Sequence, residues 1–598
     1  MRLSVSAVGT VIVLLALSCR APAQSTLPPV PVPPENPITE AKRVLGKILF
    51  WDEQLSSDNT TACGTCHRPD FGSADAIVGR HPGLDGVPNS PDDILGSLGV
   101  IRSDSADHYE PIAGFGLNKQ VTNRAAQPVI NAMFGNDLFW DGRARGRFTD
   151  PQTGQILINN GGGLESQAVA PVVSDVEMAH ADRDWNQIAL KLSAVKPLAL
   201  ATNLPADMAA AVDSGPTYPE LFEAAFGDGA ITASRIAFAI ATYERTLVSD
   251  QSPWDRFIQG ETNALTPGQQ QGWLFFQQTE CAICHQPPLF TDNTFRNIGL
   301  RPLAQDQGRF VVTGNPADRG RFKTPSLRNL TLRLNFMHTG QFVSINQVFP
   351  FYAGPGAPGN NNRDPILPSP VPPQQQPAII DFILNGLLDP RVENQTFPFD
   401  RPTLWSERAA NPTLLPGETP GSGGLAPRMI AACPPNLGNT GFKIGVERAL
   451  AGTQASVAVS TSPPVGGVVD PSTTYGPIPI DGSPLVGGFA TFNWPIPSDP
   501  AMLDQVVYMQ WRIEDPSAAG GIALSAIARL QLFGSINPPP GCPGDANGDN
   551  LVNGADLSVL LAGFGSAVTP GASGDLNHDG LVNGADLSVL LGTFGTSC

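Results

Sequence analysis

Two segments with the pattern Cys-X-X-Cys-His constrain this chain more than any other feature of its sequence. They are Cys63-Gly-Thr-Cys66-His67 and Cys281-Ala-Ile-Cys284-His285. This is the attachment pattern of c-type haem, because two thiols on one turn of chain reach the two vinyl groups and the next histidine can bind the iron. A lone Cys-X-X-Cys is also compatible with half of a zinc site or with a redox pair. Two complete copies among only eight cysteines favour a protein with two covalently attached haems.

The length and charge of the chain indicate several domains and exclude some partners. A chain of 598 residues is too long for one hydrophobic core. Hydrophobic residues make up 41% of it, while 62 glycines and 59 prolines indicate long loops and linkers. A net charge of −18 and a pI near 4.8 argue against nucleic acid or an anionic membrane surface as a partner.

Residues 1–23 have the pattern of an export signal. Arg2 supplies a positive start, residues 11–17 form an apolar run, and Ala-Pro-Ala at residues 21–23 is a cleavage site. Cys19 leaves open a second interpretation, a lipoprotein cysteine, although the residues before it match a lipobox poorly. No stretch is long and apolar enough to span a membrane. We therefore expect a periplasmic, secreted or cell-surface protein, which agrees with haem attachment outside the bacterial cytoplasm.

The two haem motifs lie in similar segments, which indicates an internal duplication. Apolar residues at helical spacing precede the first motif, and Thr266-Pro267 is a typical start for a helix that precedes the second. Gly46-Lys-Ile-Leu-Phe50 and Gly272-Trp-Leu-Phe-Phe276 occupy matching places in these two helices. A further helix within residues 232–248 is expected to pack the core of the first domain.

The remaining sequence predicts a β-rich domain and a small α-helical module. Alternating and β-branched runs separated by turn clusters favour a β-sandwich. The expected fold is multidomain, with mainly α tandem cytochrome c-like haem domains, then the sandwich and an EF-hand-like module. The expected boundaries are a signal peptide at 1–23, a Pro-rich leader at 24–36, haem domains at 37–248 and 249–405, a linker at 406–428, a β-rich domain at 429–537, a linker at 538–541 and the C-terminal module at 542–598.

The C-terminal module contains two repeats with the spacing of a calcium loop. Oxygen-bearing side chains stand at positions 1, 3, 5, 9 and 12, which can wrap a hard cation. They are Asp545, Asn547, Asp549, Asn553 and Asp556 in the first repeat and Asp575, Asn577, Asp579, Asn583 and Asp586 in the second. An acidic turn repeat without metal is the alternative. With aspartate at position 12 and no entering helix, the module resembles a type I dockerin. This resemblance implies two Ca²⁺ ions and a cohesin-like partner.

Three cysteines remain outside the haem motifs and the export signal. Cys542 and Cys598 bracket the C-terminal module, so a disulfide between them is consistent with an exported protein. Cys433 then has no partner.

Residues 37–405 resemble the bacterial dihaem cytochrome c peroxidases and their MauG relatives. Besides the haem motifs, the resemblance rests on Leu45-Gly-Lys-Ile-Leu-Phe50, Phe139-Trp-Asp-Gly-Arg-Ala144, Val176-Glu-Met178, Thr324-Pro-Ser-Leu-Arg-Asn329 and Met337-His-Thr-Gly-Gln-Phe342. It implies a first, peroxidatic haem domain and a second, electron-transfer haem domain.

The resemblance also implies roles for single residues around the first haem. Reduction of peroxide needs a group that moves a proton between its two oxygens. Glu177 matches the family's residue for this role, and Gln167 and Pro171 match the pocket around it. Many members cap the resting first haem with a histidine at the place of Leu117, so we expect this iron to be five-coordinate. His81 and His108 are alternative caps.

The second haem requires a sixth ligand if it stores or relays electrons. The family's ligand position falls at Tyr352, which resembles the MauG branch, and Met337 is the alternative. A methionine would raise the reduction potential, whereas an anionic tyrosine oxygen would lower it. Trp140 matches the family's tryptophan between the haems. The family's inter-haem calcium uses an Asn where this chain has Ala125, so that calcium is not expected unless Asn123 replaces the missing ligand.

Three functions follow from these matches. The first is a peroxidase that reduces hydrogen peroxide to water with electrons from an external donor such as a small cytochrome c. The second, favoured by Tyr352, is a MauG-like high-valent dihaem oxidase of residues in a partner protein. The third is a docked electron-transfer component without peroxidase activity, suggested by the dockerin-like module.

Overall fold

The computed structural model describes residues 26–482, 487–534, 544, 546–547, 552–568, 574–576, 581–592 and 594–595. The expected export signal at residues 1–23, Cys542 and Cys598 lie outside the described residues. Among the helices of the described ranges, none is both long and apolar enough to cross a bilayer.

The first haem region is mainly helical. Its helices are α1 (Glu40–Trp51), α2 (Cys63–Cys66), α3 (Gly163–Ala168), α4 (Trp185–Ala194), α5 (Ala206–Val212), α6 (Tyr218–Phe226) and α7 (Ala233–Glu244). The expected helix before the first motif is α1, which begins after Thr39 because that side chain accepts a hydrogen bond from Lys42 N. Helix α7, capped in the same way by Thr232, lies in the core as expected.

The second haem region repeats this plan. Its helices are α8 (Pro253–Ile258), α9 (Pro267–Gln277), α10 (Cys281–Cys284), α11 (Phe310–Thr313), α12 (Val348–Ala353), α13 (Gln376–Asp381) and α14 (Pro390–Glu393), with a π-helical turn at Phe382–Gly386. Thr266 caps α9 and Pro267 is its first residue, as the sequence predicts.

A glycine crossing occurs at the same place in both haem regions. In α1, a Cβ on Gly46 would lie 1.8 Å from the carbonyl oxygen of Ala239 in α7. In α9, a Cβ on Gly272 would lie 2.0 Å from the carbonyl oxygen of Ala378 in α13. Only glycine permits this close approach of two helix backbones. The shared crossing agrees with an internal duplication.

Small antiparallel sheets interrupt the haem regions, and the sequence analysis did not anticipate them. The largest has the order β1-β2-β3, and the other two are the pairs β4-β5 and β6-β7. The strands are β1 (Val78–His81), β2 (Ile94–Ile101), β3 (Lys119–Val121), β4 (Phe148–Thr149), β5 (Ile156–Ile158), β6 (Phe295–Arg296) and β7 (Phe322–Lys323).

The β-rich region consists of two antiparallel sheets over one hydrophobic core, which is the arrangement of a β-sandwich. One sheet has the order β13-β10-β9 and the other β12-β11-β14-β15-β8. The strands are β8 (Thr413–Leu415), β9 (Arg428–Ile430), β10 (Lys443–Ala449), β11 (Gln454–Ser460), β12 (Thr473–Pro479), β13 (Gly488–Asn493), β14 (Val506–Glu514) and β15 (Ile522–Gln531). Strand β8 pairs with β15 and lies in the segment expected to be a linker.

The sandwich packs directly against the first haem region. Ile101, Tyr109 and Leu117 of the haem region form one buried cluster with Ile430 of the sandwich. In the C-terminal module, helices α15 (Gly554–Gly563) and α16 (Gly584–Gly592) share a small apolar core. Reciprocal backbone bonds join the two repeats, from Gly565 N to Val582 O and from Gly595 N to Val552 O, both 2.7 Å long.

Candidate functional site

The first haem motif forms the short helix α2, and its geometry fits covalent haem attachment. Cys63 and Cys66 form no disulfide. The turn between them lies against an aromatic ring, because a Cβ on Gly64 would be 2.2 Å from Trp51 Cε3. His67 Nδ1 lies 3.4 Å from the carbonyl oxygen of Ser73, and a proton held there would make Nε2 the nitrogen that binds iron. Burial lowers the pKa of His67, which favours the neutral, ligating form.

The second motif has the same design. Cys281 and Cys284 form no disulfide, and they begin and end helix α10. His285 Nδ1 lies 3.1 Å from the carbonyl oxygen of Phe290, so its Nε2 is again the nitrogen available to iron. Burial lowers the pKa of this histidine as well.

A large cavity opens beside the first motif. Its volume, including the part that is open to solvent, is about 1610 Å³. Residues given site roles by the resemblance meet in its wall, namely His67, Glu177, Gln167, Pro171 and Trp140. Burial raises the pKa of the Glu177 carboxyl, against the opposing charge of Arg143 and a hydrogen bond with Ser174. The cavity therefore combines haem-binding groups with a half-buried acid whose pKa is raised.

The candidate caps of the first haem lie in different surroundings. Leu117 is buried in the cluster against the sandwich and is not among the residues that line the cavity. His81 does line the cavity, and its Nδ1 accepts a hydrogen bond of 3.1 Å from Gly83 N. A neutral His81 with that acceptor carries its proton on Nε2, so it can donate into the cavity but offers iron no lone pair there. His108 is exposed.

Two adjoining cavities of about 800 and 960 Å³ lie beside the second motif. Both are lined by His285 and by the two candidate sixth ligands, Tyr352 and Met337. Tyr352 is carried by α12, and burial raises the pKa of its hydroxyl. Met337 lies in a turn with φ of 71°. The structure thus brings both candidates to the second haem site.

His338 is a site residue whose environment the sequence analysis did not anticipate. Its ring stacks on Phe322 with centroids 3.6 Å apart, and Trp140 lies 6.1 Å away. It is buried, and its Nε2 has no hydrogen-bond partner among the described residues. Burial lowers its pKa to about 3. Its position in the Met337 motif was the only signal in the sequence.

Trp140 is held in the wall that separates the two haem sites. It lines the first cavity and both cavities of the second site. Its indole N–H donates to the carbonyl oxygen of Ala125 at 2.8 Å, and its own carbonyl accepts from Lys323 N at 2.7 Å. These bonds fix the ring between the two motifs.

Arg124, the residue before Ala125, forms two ion pairs with acidic side chains. Arg124 binds Asp141 at 2.7 Å and Asp306 at 2.8 Å, so its single positive charge is shared by two carboxylates. Ala125 beside it has no side-chain oxygen, and Asn123 lines the first cavity.

In the described parts of the C-terminal module, the aspartates at position 12 of the two loops have equivalent surroundings. Asp556 and Asp586 are fully buried, and each accepts backbone N–H groups of its own loop. Asp556 accepts from Ala546 and Asn553, both at 2.8 Å, and Asp586 accepts from Leu576 and Asn583 at 2.7 and 2.8 Å. Asp575 is buried as well. Four of the expected calcium ligands lie outside the described residues, namely Asp545, Asp549, Asn577 and Asp579.

The two motifs, their histidines and the adjoining cavities define a c-type protein with two haem sites. Residues 40–263 match the family described as di-haem cytochrome c peroxidase. A cytochrome-c peroxidase of Denitromonas iodatirespirans is 28% identical over 416 residues, which are 64% of this chain and 90% of that protein. The methylamine utilization protein MauG of Methylorubrum extorquens is 32% identical over 327 residues, 54% of this chain and 71% of that protein.

The chain therefore belongs to the family of di-haem cytochrome c peroxidases and MauG proteins, which are haem-dependent oxidoreductases with two c-type haems. A crystal structure of a MauG-like protein associated with microbial copper homeostasis covers 64% of this chain and 97% of its own. The identity is 23% and the TM-score is 0.45.

Proposed function

We propose that this protein reduces hydrogen peroxide to water in the first cavity, with electrons that a donor protein delivers at the second site. The observation that carries the proposal is the presence of Glu177, Gln167 and His67 in one cavity. A bound haem supplies the redox-active iron, and the surrounding side chains position the peroxide and its protons. We also propose that the protein is exported, because thioether attachment of haem takes place outside the bacterial cytoplasm.

Glu177 has the environment of a proton carrier. Conversion of one hydrogen peroxide to two waters consumes two electrons and two protons, and one proton must reach the departing oxygen. Because burial raises its pKa above that of an exposed carboxyl, Glu177 is better matched to accepting and returning a proton near neutral pH. Its carboxyl can take a proton from one peroxide oxygen and return it to the other.

The first site is proposed to be open to peroxide in the resting protein. Leu117 has no ligating atom and packs against the sandwich, and the lone pair of His81 Nδ1 is already engaged by Gly83. We expect the oxidised protein to show one high-spin and one low-spin haem by electron paramagnetic resonance. One equivalent of hydrogen peroxide should remove the high-spin signal.

Turnover with an external donor tests the proposal directly. The full-length protein should oxidise a reduced small cytochrome c in proportion to the peroxide supplied. If neither the oxidised nor the half-reduced protein reacts with peroxide, the chain is a docked electron-transfer component instead.

Oxidation of residues in a partner protein is a second candidate function, in the manner suggested by the MauG relatives. Tyr352 favours it, because this residue lines the second haem site together with His285. An anionic oxygen ligand would lower the reduction potential of that haem. Rapid steady-state oxidation of a small cytochrome would count against this candidate, whereas peroxide consumption without cytochrome oxidation would favour it.

Trp140 is proposed to relay charge between the two sites. Replacing it by Phe should lower steady-state turnover at least ~10-fold, which corresponds to a barrier higher by about 1.4 kcal/mol. The reason is that phenylalanine lacks the indole ring that lies in the shared wall. The first reaction with peroxide, followed by stopped-flow absorbance, should keep its rate. Trp185→Phe is the matched control, since Trp185 is buried in the first core and lines neither haem site. Unchanged turnover in Trp140→Phe would remove the relay role.

The C-terminal module is proposed to bind two calcium ions and to dock to a cohesin-like partner. Its support is the spacing of the two loops and the equivalent burial of Asp556 and Asp586. Titration calorimetry of the full-length protein should give two bound Ca²⁺ ions, and Asp556→Asn or Asp586→Asn should each remove one. Asp481→Asn in the sandwich should leave the count at two. A count that neither substitution lowers would contradict the assignment.

A further inference from the structure

The β-sandwich holds one loop of the first haem region through a buried lysine. We call residues 102–118, which connect β2 and β3, the clamped loop. Lys443 of β10 points its ammonium group into this loop and donates to Ser103 Oγ at 3.1 Å and to the Asp107 carbonyl oxygen at 2.6 Å. It also pairs with the Asp107 carboxylate at 2.5 Å and lies 4.7 Å above the Tyr109 ring. Its side chain is 1% exposed, so the loop supplies the partners that keep this charge stable.

A second contact holds the far end of the same loop. Glu447, also on β10, accepts a hydrogen bond of 3.0 Å from Leu117 N. Its other oxygen accepts from Arg428 at 2.6 Å, and Arg428 donates to the Leu117 carbonyl oxygen at 3.1 Å. Tyr109, in the middle of the loop, is buried against the sandwich, where its backbone N–H donates to Thr491 at 2.8 Å. The sandwich therefore contacts the clamped loop at three points, through Lys443, Thr491 and Glu447.

The strands and the first residues of the clamped loop hold the backbone around Glu177. Val100 N donates to Val176 O at 3.1 Å, and Gln120 donates to Asp175 O at 2.7 Å. Gly99 lies so close that a Cβ on it would be 1.8 Å from Val176 O and 3.1 Å from Glu177 Cα.

Ser103 joins the two sets of contacts. Its hydroxyl accepts from Lys443, while its carbonyl oxygen accepts from Ala181 N at 3.0 Å, just beyond Glu177. Arg102, the preceding residue, forms an ion pair with Asp175 on the other side of Glu177. A continuous series of polar contacts thus runs from the sandwich to the segment that carries the acid.

We propose that Lys443, from a domain outside the haem regions, is a positioning residue for Glu177. The inference rests on the proposed role of Glu177 in peroxide reduction. Loss of the ammonium group leaves the Asp107 carboxylate and the Ser103 hydroxyl without their partner, so the clamped loop and the backbone that it holds can shift. A misplacement of about 1 Å at a reacting group can cost up to about 100-fold in rate.

The test compares peroxide reactivity in full-length variants loaded with both haems. Lys443→Met keeps the length of the side chain and removes its charge, and it should slow the stopped-flow reaction with hydrogen peroxide by about 10-fold to 100-fold. The kcat/KM for the reduced donor cytochrome should change by less than about twofold, because no residue of the clamped loop lines the second haem site. Arg512→Met, a half-buried position on β14 of the other sheet, is the matched control and should keep the wild-type rate.

A double variant distinguishes an effect of Lys443 on the position of Glu177 from a general destabilisation of the protein. If Lys443 acts through Glu177, adding Lys443→Met to Glu177→Gln should cause no further loss of the peroxide rate. A full additional loss in the double variant, or a normal rate in folded Lys443→Met, overturns the inference. A normal rate in Glu177→Gln alone would instead reject the proposed function. If Lys443→Met does not fold, Ser103→Ala, which removes only the hydroxyl contact, is judged by the same two readouts.

Discussion

Glu177→Gln is expected to lower the rate of reaction with hydrogen peroxide by about 10²- to 10⁴-fold, the usual contribution of a positioned acid or base. The amide keeps the size of the side chain but cannot exchange a proton with peroxide. The carboxyl lines the cavity, where burial raises its pKa above that of an exposed glutamate and so favours both acceptance and return of a proton. The measurement is the second-order rate constant from stopped-flow absorbance of the first haem.

Two controls test whether a lower rate comes from the loss of the Glu177 carboxyl. The absorbance spectrum and haem content of Glu177→Gln should match those of the unsubstituted protein, because Glu177 takes no part in thioether attachment. Glu223→Gln, an exposed position on α6, should leave the rate unchanged. A Glu177→Gln rate within about threefold of the original would exclude the acid–base role, since general acid–base groups contribute at least about 10²-fold.

Glu165→Gln is expected to destabilise the first haem region by about 3–5 kcal/mol, the usual effect of removing one partner from a buried ion pair. Glu165 of α3 and Arg245, which follows α7, form two hydrogen bonds of 2.6 and 2.9 Å. Their side chains are 0% and 1% exposed, so water cannot replace the lost charge. Asn36 donates to the same carboxylate at 2.9 Å, which ties the N-terminal leader to this pair.

Denaturant unfolding followed by haem absorbance measures this effect, because that signal reports on the haem regions alone in a multidomain chain. The ion pair between Arg256 and Glu261 serves as the matched control. Its side chains are 44% and 56% exposed, and Glu261→Gln should change stability by only about 0–1 kcal/mol. A Glu165→Gln effect as small as that of the control would show that the buried pair does not stabilise this region.

The features that could be predicted from sequence are those set by local chemistry. The spacing Cys-X-X-Cys-His specifies a haem attachment turn whatever surrounds it, and Thr39, Thr232 and Thr266 cap helices because their hydroxyls reach backbone N–H groups within the next turn. The glycines of the two repeated helices were recognisable as matching positions. Their contacts with the backbones of α7 and α13 could not be predicted, because those helices lie far away in the sequence.

Features that depend on contacts between distant residues could not be predicted. Nothing in the pattern around Leu117 indicates that it packs against Ile430, more than three hundred residues later. The strand Thr413–Leu415 is short and lies in a proline- and glycine-rich segment, so its pairing with β15 has no local signal. Tyr352 and Met337 were both named as ligands, and both line the second haem site because the chain returns there twice.

The cluster of Ile101, Tyr109 and Leu117 has a practical consequence for work with shortened forms of this protein. A chain that stops after the second haem domain, near residue 405, would leave these apolar side chains facing water. An exposed apolar patch of this kind promotes self-association. We therefore expect an isolated haem region to self-associate more than the full-length protein, even when both haems are attached.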